Sequence, residues 1–152
     1  MSQLIVFGFF GLGAGRRVST LKPGSSTKVY HVFYSTTVQR VSADPCPAEI
    51  RIYSPYGDTI LPDNTVAFVV AKAQFPVNEP VLLEASTLIP MPGDPSDEDY
   101  ELSLPDCPFP HVIGVGHVPS AAISLPGASK SKAFNVNCSD FVRDQVVSSS
   151  VQ

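Results

Sequence analysis

The chain has 152 residues, a formal net charge of −4 and 43% hydrophobic side chains. This length fits one domain or little more, and the hydrophobic content is sufficient for a core. Only 16% of the residues are charged, whereas prolines and glycines number 15 and 10. This composition argues against a helical protein and favours an all-β fold with many turns.

The charges are distributed unevenly along the chain. Residues 1–75 carry seven lysines and arginines against four carboxylates, and residues 76–152 carry three against ten. Such asymmetry is typical of a basic binding face combined with an acidic linker or tail. The alternative is a surface on which charges of both signs are simply mixed.

The cysteines and the amino terminus bear on compartment and membrane. Cys46, Cys107 and Cys138 are odd in number and widely spaced, which fits a reducing compartment and predicts a nuclear or cytoplasmic protein. No Cys-x-x-Cys motif occurs, so we expect neither a metal site nor a cofactor. The apolar run at residues 4–15 lacks a preceding basic residue and is too short to span a bilayer, so we expect no membrane partner.

Five strands are predicted in the first ninety residues, at 3–10, 28–38, 48–53, 65–75 and 80–88. Residues 48–53 alternate, with Ile50 and Ile52 on one face, and the other segments are rich in Val, Phe and Tyr. Residues 11–26 are predicted to form a glycine-rich loop. Five short strands, with Gly8 available for a sharp bend, favour a small OB-like barrel. An immunoglobulin-like sandwich is the alternative, although it would need about seven strands.

Residues 90–110 interrupt this pattern with six prolines and a cluster of carboxylates. They are predicted to form a linker or surface loop, with a short helical turn at 96–102 capped by Ser96. Two further strands are predicted at 111–118 and 132–142, followed by a frayed tail at 148–152.

A short internal repeat suggests how these segments are organised. Val6-Phe7-Gly8-Phe9 matches Val112-Ile113-Gly114-Val115, and residues 30–38 align without a gap on residues 134–142. The repeat predicts an OB-like barrel at 1–92, a Pro-rich acidic linker at 93–110 and the first two strands of a second unit at 111–152. Two isolated strands are marginal in water. We therefore expect this hairpin to dock on the barrel, to pair between molecules or to be poorly ordered.

Several of these segments resemble a known group of proteins. Residues 32–36, 50–55 (Ile-Arg-Ile-Tyr-Ser-Pro), 61–73, 92–96 and 106–110 are similar to uncharacterised proteins of mushroom-forming fungi that are built from OB-fold-like units. In those proteins, the segment matching Phe-Val-Arg-Asp at 141–144 is followed by further strands that complete a second unit. The resemblance implies an OB-like fold with a truncated second unit, and it implies no activity.

The predicted function follows from the barrel. Single-stranded nucleic acid is bound by aromatic rings that stack on bases, beside cations that follow the backbone. In an OB barrel these groups project from the second and third strands and their loops. The candidate residues for binding single-stranded DNA or RNA with little specificity are Tyr30, Tyr34, Arg40, Arg51, Tyr53 and Lys72.

Other functions are also open. The acidic balance and the proline-rich loop fit a protein-interaction module, and the truncated repeat fits a non-binding remnant of a tandem protein that could self-associate through its hairpin. Gly11, Gly13 and Gly15 precede no helical pattern, so a phosphate loop is not expected. The three histidines form no nucleophile–base pattern with a serine, so an enzyme is not expected.

Overall fold

The protein is all-β, as the composition predicts. The computed structural model describes residues 2–40, 44–124 and 132–151. Within them the strands are β1 (Gln3–Gly11), β2 (Gly13–Leu21), β3 (Lys28–Val38), β4 (Cys46–Tyr53), β5 (Val66–Gln74), β6 (Val81–Pro90), β7 (His111–Val115), β8 (Ile123–Ser124), β9 (Lys132–Ala133), β10 (Val136–Val142) and β11 (Gln145–Val151), with a 3₁₀ helix at Tyr100–Ser103. All five strands predicted before residue 90 start and end within two residues of the observed strands.

The main sheet has the order β2-β3-β4-β6-β5-β1-β7. All its pairs are antiparallel except β4 and β6, which run parallel. β1 and β2 are consecutive parts of one segment that bends at Leu12, where the backbone bonds to Asn64 and Thr65 instead of to a strand neighbour. One bent segment therefore supplies the strand beside β5 and the strand beside β3.

The predicted loop at 11–26 is wrong for residues 13–21, which form β2. This strand pairs with β3 from Arg16↔Phe33 to Leu21↔Lys28. The glycines do mark an irregularity in the strand, but it is local. The pairing register shifts between Gly13 and Arg16, and Ala14 has a φ of 51°. A β-bulge thus absorbs the glycine-rich stretch without ending the strand.

The core lies on one face of the sheet and follows the period of two. In β1 the side chains of Leu4, Val6 and Phe10 are buried, and the positions between them are half-buried. Ala67, Val69, Ala71 and Ala73 of β5 repeat this pattern. Gly8 allows the backbone of Pro110 to approach β1 closely, because a Cβ at Gly8 would lie 2.9 Å from the Cα of Pro110.

The carboxyl-terminal strands dock on the first six. β7 pairs with β1, in the register Val6↔Val112, so the two matching strands of the repeat are neighbours. β10 is bridged to His117, two residues after β7, at Asn137, and it pairs with β11 from Val136↔Val151 to Val142↔Gln145. Of the three predicted states of this region, docking is the one observed.

The tail prediction is wrong up to residue 151. β11 continues to Val151, and the buried hydroxyl of Ser149 accepts a hydrogen bond of 3.0 Å from the backbone N–H of Phe75. This contact and the pairing with β10 hold the segment against β5, and neither is visible in a run of serines. The single predicted strand at 132–142 is divided into β9 and β10.

The proline-rich segment 93–110 contains no strand and is anchored by an aromatic ring. Tyr100 is buried, and its hydroxyl accepts a hydrogen bond of 3.1 Å from the N–H of Val66 at the start of β5. The helical turn is shorter than predicted, and it follows Asp99 without a side-chain cap, so Ser96 is not its cap.

Candidate nucleic-acid interface

The face on which each β3 side chain lies decides which of the predicted aromatic rings is accessible. Val32, Tyr34 and Val38 point into the core, and His31 and Phe33 lie on the opposite face. Tyr34 is only 3% exposed, and its hydroxyl accepts a 3.0 Å hydrogen bond from the N–H of Leu61. Tyr34 is therefore a packing residue and not an exposed ring on the surface of the sheet.

Tyr30 and Tyr53 are more accessible than Tyr34. Tyr53, at the end of β4, is 60% exposed, and its ring lies edge-on to His31 with centroids 6.2 Å apart. Tyr30 lies on the core side near the end of the sheet, with its ring centroid 5.5 Å from that of the exposed Tyr56. These two tyrosines thus lie on opposite faces of the sheet, where the start of β3 lies beside the end of β4.

Arg51 and Lys72 lie in one row across the outer face, but both are already paired. Both residues are in register with Glu84 on β6, which separates them, so their Cα atoms are about 10 Å apart. Arg51 is 11% exposed and contacts Glu84 and Asp144, each at 2.6 Å. Lys72 contacts Asp140 at 2.9 Å. A phosphate would have to displace carboxylates to reach Arg51, whereas the Lys72 ammonium is 40% exposed and is partly neutralised by Asp140.

Two of the three competing carboxylates, Asp140 and Asp144, belong to the β10–β11 hairpin. Its two turn residues, Arg143 and Asp144, have φ of 54° and 66°, a conformation that costs non-glycine residues energy. Arg143 donates hydrogen bonds to the carboxylate and to the backbone oxygen of Glu49, at 2.9 and 3.0 Å. The turn is thus held on β4 by two ion pairs, one between Arg143 and Glu49 and one between Asp144 and Arg51.

Phe33 lies between two guanidinium groups at this contact. The Cζ atoms of Arg16 and Arg143 are 4.5 and 5.0 Å from its ring centroid, within the range of a cation–π interaction. Arg16 also contacts Glu49 at 2.7 Å. The cluster balances three arginines (Arg16, Arg51 and Arg143) with three carboxylates (Glu49, Glu84 and Asp144), so it presents no net charge to a polyanion.

The ionisation of these groups follows from their pairing. The hydrogen bond from Arg51 lowers the pKa of Asp144. Burial alone would raise the pKa of Glu49, but hydrogen bonds from Arg143 and Arg16 outweigh it and lower that pKa. Burial, reinforced by the charge of Arg51, lowers the pKa of His31, so its imidazole is neutral at pH 7 and adds no positive charge.

A basic surface that the predicted cations did not include, apart from Arg40, lies on the β2–β3 hairpin and just after it. No carboxylate occurs before Asp44, whereas this stretch contains five cations, which are Arg16, Arg17, Lys22, Lys28 and Arg40. Lys22 and Lys28 flank the hairpin loop, are exposed, and have no ion pair within the part of the chain that the structure describes. Arg40, at the other end of β3, donates to the carbonyl of Asp44 at 2.7 Å. The absence of early carboxylates was the sequence signal for this surface.

Comparisons with known proteins add no assignment, since no family model, no curated protein and no solved structure matches the chain. Within residues 2–40, 44–124 and 132–151, no three His, Cys, Asp or Glu side chains are grouped as a metal site would require. The same residues contain no helix of the length and apolarity needed to cross a bilayer.

Proposed function

We propose that β1–β6 form an OB-type unit that binds single-stranded nucleic acid, with little base specificity, along the β2–β3 hairpin and the end of β4. The observation that carries the proposal is the strand order. A first strand bent into two halves, β1 and β2, pairs with β5 at one end and with β3 at the other, and the parallel pair β4–β6 joins the two sides. This connectivity supports the assignment of β1–β6 as a five-stranded OB barrel.

Matching these strands to those of an OB barrel indicates where a ligand would bind. β3 and β4 stand for the second and third OB strands, and the loop between β2 and β3 stands for the loop after the first strand. Ligands of OB-folds bind on these elements. Here they carry the carboxylate-free hairpin with Lys22 and Lys28, and the exposed ring of Tyr53.

The chemistry of this surface suits a single strand. Lys22 and Lys28 supply charges for phosphates, and Tyr53 and Tyr56 are exposed rings on which bases can stack. Arg51 and Lys72, paired with hairpin carboxylates, are not part of the proposed first contact. The interface is therefore displaced from the predicted residues towards the hairpin loop.

Fluorescence anisotropy with a labelled single-stranded oligonucleotide across a salt series tests the proposal. Lys22→Ala with Lys28→Ala should weaken binding and reduce the slope of log K against log salt by about 1.4, the loss expected for two phosphate contacts on a single strand. Lys132→Ala, a lysine of the separate β8–β9 hairpin, is the matched control and should leave the slope unchanged. Absence of binding at low salt would refute the proposal.

A second candidate, self-association, is favoured by β7. This sheet-edge strand carries no charged side chain, and Val112, Ile113 and Val115 are each more than half exposed. Such an edge is a template for strand addition. Light scattering should then show a dimer that Ile113→Lys dissociates, whereas a monomer at all concentrations would exclude this function.

A further inference from the structure

A cleft opens in the sheet wall where β4 and β6 separate. Their pairing ends at Ile52↔Ala85. Ser86 is an extra residue between Ala85 and Thr87 in the pairing with β5, and beyond it β6 follows β5 towards Ala67↔Pro90. The end of β4 and the residues Leu88–Pro90 of β6 consequently face each other without ladder hydrogen bonds.

The cleft has the size and lining of a ligand site. Its volume is about 340 Å³, within the usual range for small-molecule pockets. Val32, Ile52, Leu61, Leu88 and Pro90 form apolar walls, together with the ring of Tyr34. Tyr53, Ser54, Asp58 and Thr59 supply one polar side. Apolar walls with a few convergent polar groups are typical of small-molecule sites.

The polar side is held in place by Arg17. Its Nη2 donates to the hydroxyl of Ser54 at 3.1 Å and also to the carbonyl of Asp58. Among the described residues, the side-chain hydrogen bond of the Asp58 carboxylate is a long one, 3.4 Å from the Ser54 hydroxyl to one oxygen. The exposed carboxylate therefore retains acceptor capacity, on a residue whose backbone Arg17 holds beside an apolar slot and an exposed tyrosine ring.

We propose that this cleft binds one nucleobase, with guanine preferred. The base would lie between the apolar walls near Tyr53 and would donate its N1–H and N2–H to the two oxygens of Asp58. Guanine is the base whose Watson–Crick edge has two adjacent donors, and that edge is accessible in a single strand. Thymine and uracil place carbonyl oxygens on both sides of one N–H, which a carboxylate repels.

This inference rests on the proposed function, because the strand held by Lys22 and Lys28 would present the base. The same ring chemistry also occurs in a free guanine nucleotide. The test therefore compares three probes on the full chain, which are an oligothymidylate with one central guanine, the same strand with an abasic site in that place, and guanosine monophosphate.

The guanine strand should bind roughly 5- to 150-fold more tightly than the abasic strand, the range for stacking one base on an aromatic ring. Asp58→Asn should remove most of the preference for guanine over thymine, and the affinity for plain oligothymidylate is measured beside it. Asp106→Asn, an exposed carboxylate in the proline-rich segment, is the control and should change neither.

The outcomes separate the two proposals. Equal affinity for the guanine and abasic strands would overturn the cleft assignment and leave nucleic-acid binding standing. Binding of guanosine monophosphate, lost in Asp58→Asn, without binding of any strand would support the cleft and overturn the nucleic-acid function. Binding of no probe would overturn both.

Discussion

Two arginines share the carboxylate of Glu49, and their different burial predicts different contributions to stability. Arg143 is 14% exposed and donates to both the carboxylate and the backbone oxygen of Glu49. Arg16 is 57% exposed and makes one contact. Both lie over Phe33 at similar distances, so the cation–π contribution nearly cancels between them. Alanine substitution of each arginine therefore compares a buried arginine that donates twice to Glu49 with an exposed arginine that donates once.

The expected cost of Arg143→Ala is about 2 kcal/mol, because hydrogen bonds to charged groups contribute about 1.5–3 kcal/mol. Glu49 is 28% exposed, and the Nε of Arg143 has no hydrogen-bond partner among the described residues. Both facts place the value in the lower half of that range. Arg16→Ala should cost about 0.5 kcal/mol, as an exposed ion pair does.

Thermal unfolding followed by circular dichroism measures the difference. A loss of about 2 kcal/mol corresponds to a decrease in Tm of about 4–8 °C for a chain of this size. In a Glu49→Gln background the cost of Arg143→Ala should shrink, because the two residues are coupled. Equal costs for the two alanine variants, or full additivity with Glu49→Gln, would refute the assignment of Glu49 as the anchor of the hairpin turn.

Three further outcomes are expected for stability. Tyr34→Phe should destabilise the protein by about 1–3 kcal/mol in urea unfolding, because a part-buried N–H loses its acceptor. Gly15→Ala should cost about 1–3 kcal/mol, since its Cβ would lie 2.5 Å from a core isoleucine, whereas Gly11→Ala, with no atom within 4 Å, should cost far less. The lowered pKa values of Glu49 and Asp144 mean that their stabilisation is complete above their unfolded pKa values and is lost as pH falls, from about pH 5 downwards. Glu49→Gln with Asp144→Asn should flatten the stability–pH curve in that range, and an unchanged curve would contradict it.

The sequence predicted the strands of the first unit well because their pattern is local. Residues 28–38 and 48–53 are rich in β-branched and aromatic residues, which a strand accommodates whatever its partner. β2 was missed because glycines usually signal a loop, and only the pairing with β3 converts them into a bulge. β11 was missed because its serines have no apolar alternation, and its position depends on the contact of Ser149 with β5.

The site was predicted less completely, since its charges are set by distant residues. Arg51 was correctly assigned to the polar face of β4, yet its partner Asp144 is 93 positions away and no local pattern indicates the pair. Tyr34 could have been assigned to the core, because it lies two positions after the apolar Val32 and so shares its face of the strand. The separation of β4 and β6 depends on one extra residue, Ser86, which the sequence does not distinguish from its neighbours.

The central claim, that the basic β2–β3 hairpin and the end of β4 bind single-stranded nucleic acid, is tested most directly by mapping amide chemical shifts during titration with a short oligonucleotide at low salt. The account predicts that shifts will concentrate at residues 17–30 and 53–59, increase with added strand and reverse when salt is raised. Shifts confined to β7, or no shifts at saturating oligonucleotide, would contradict it.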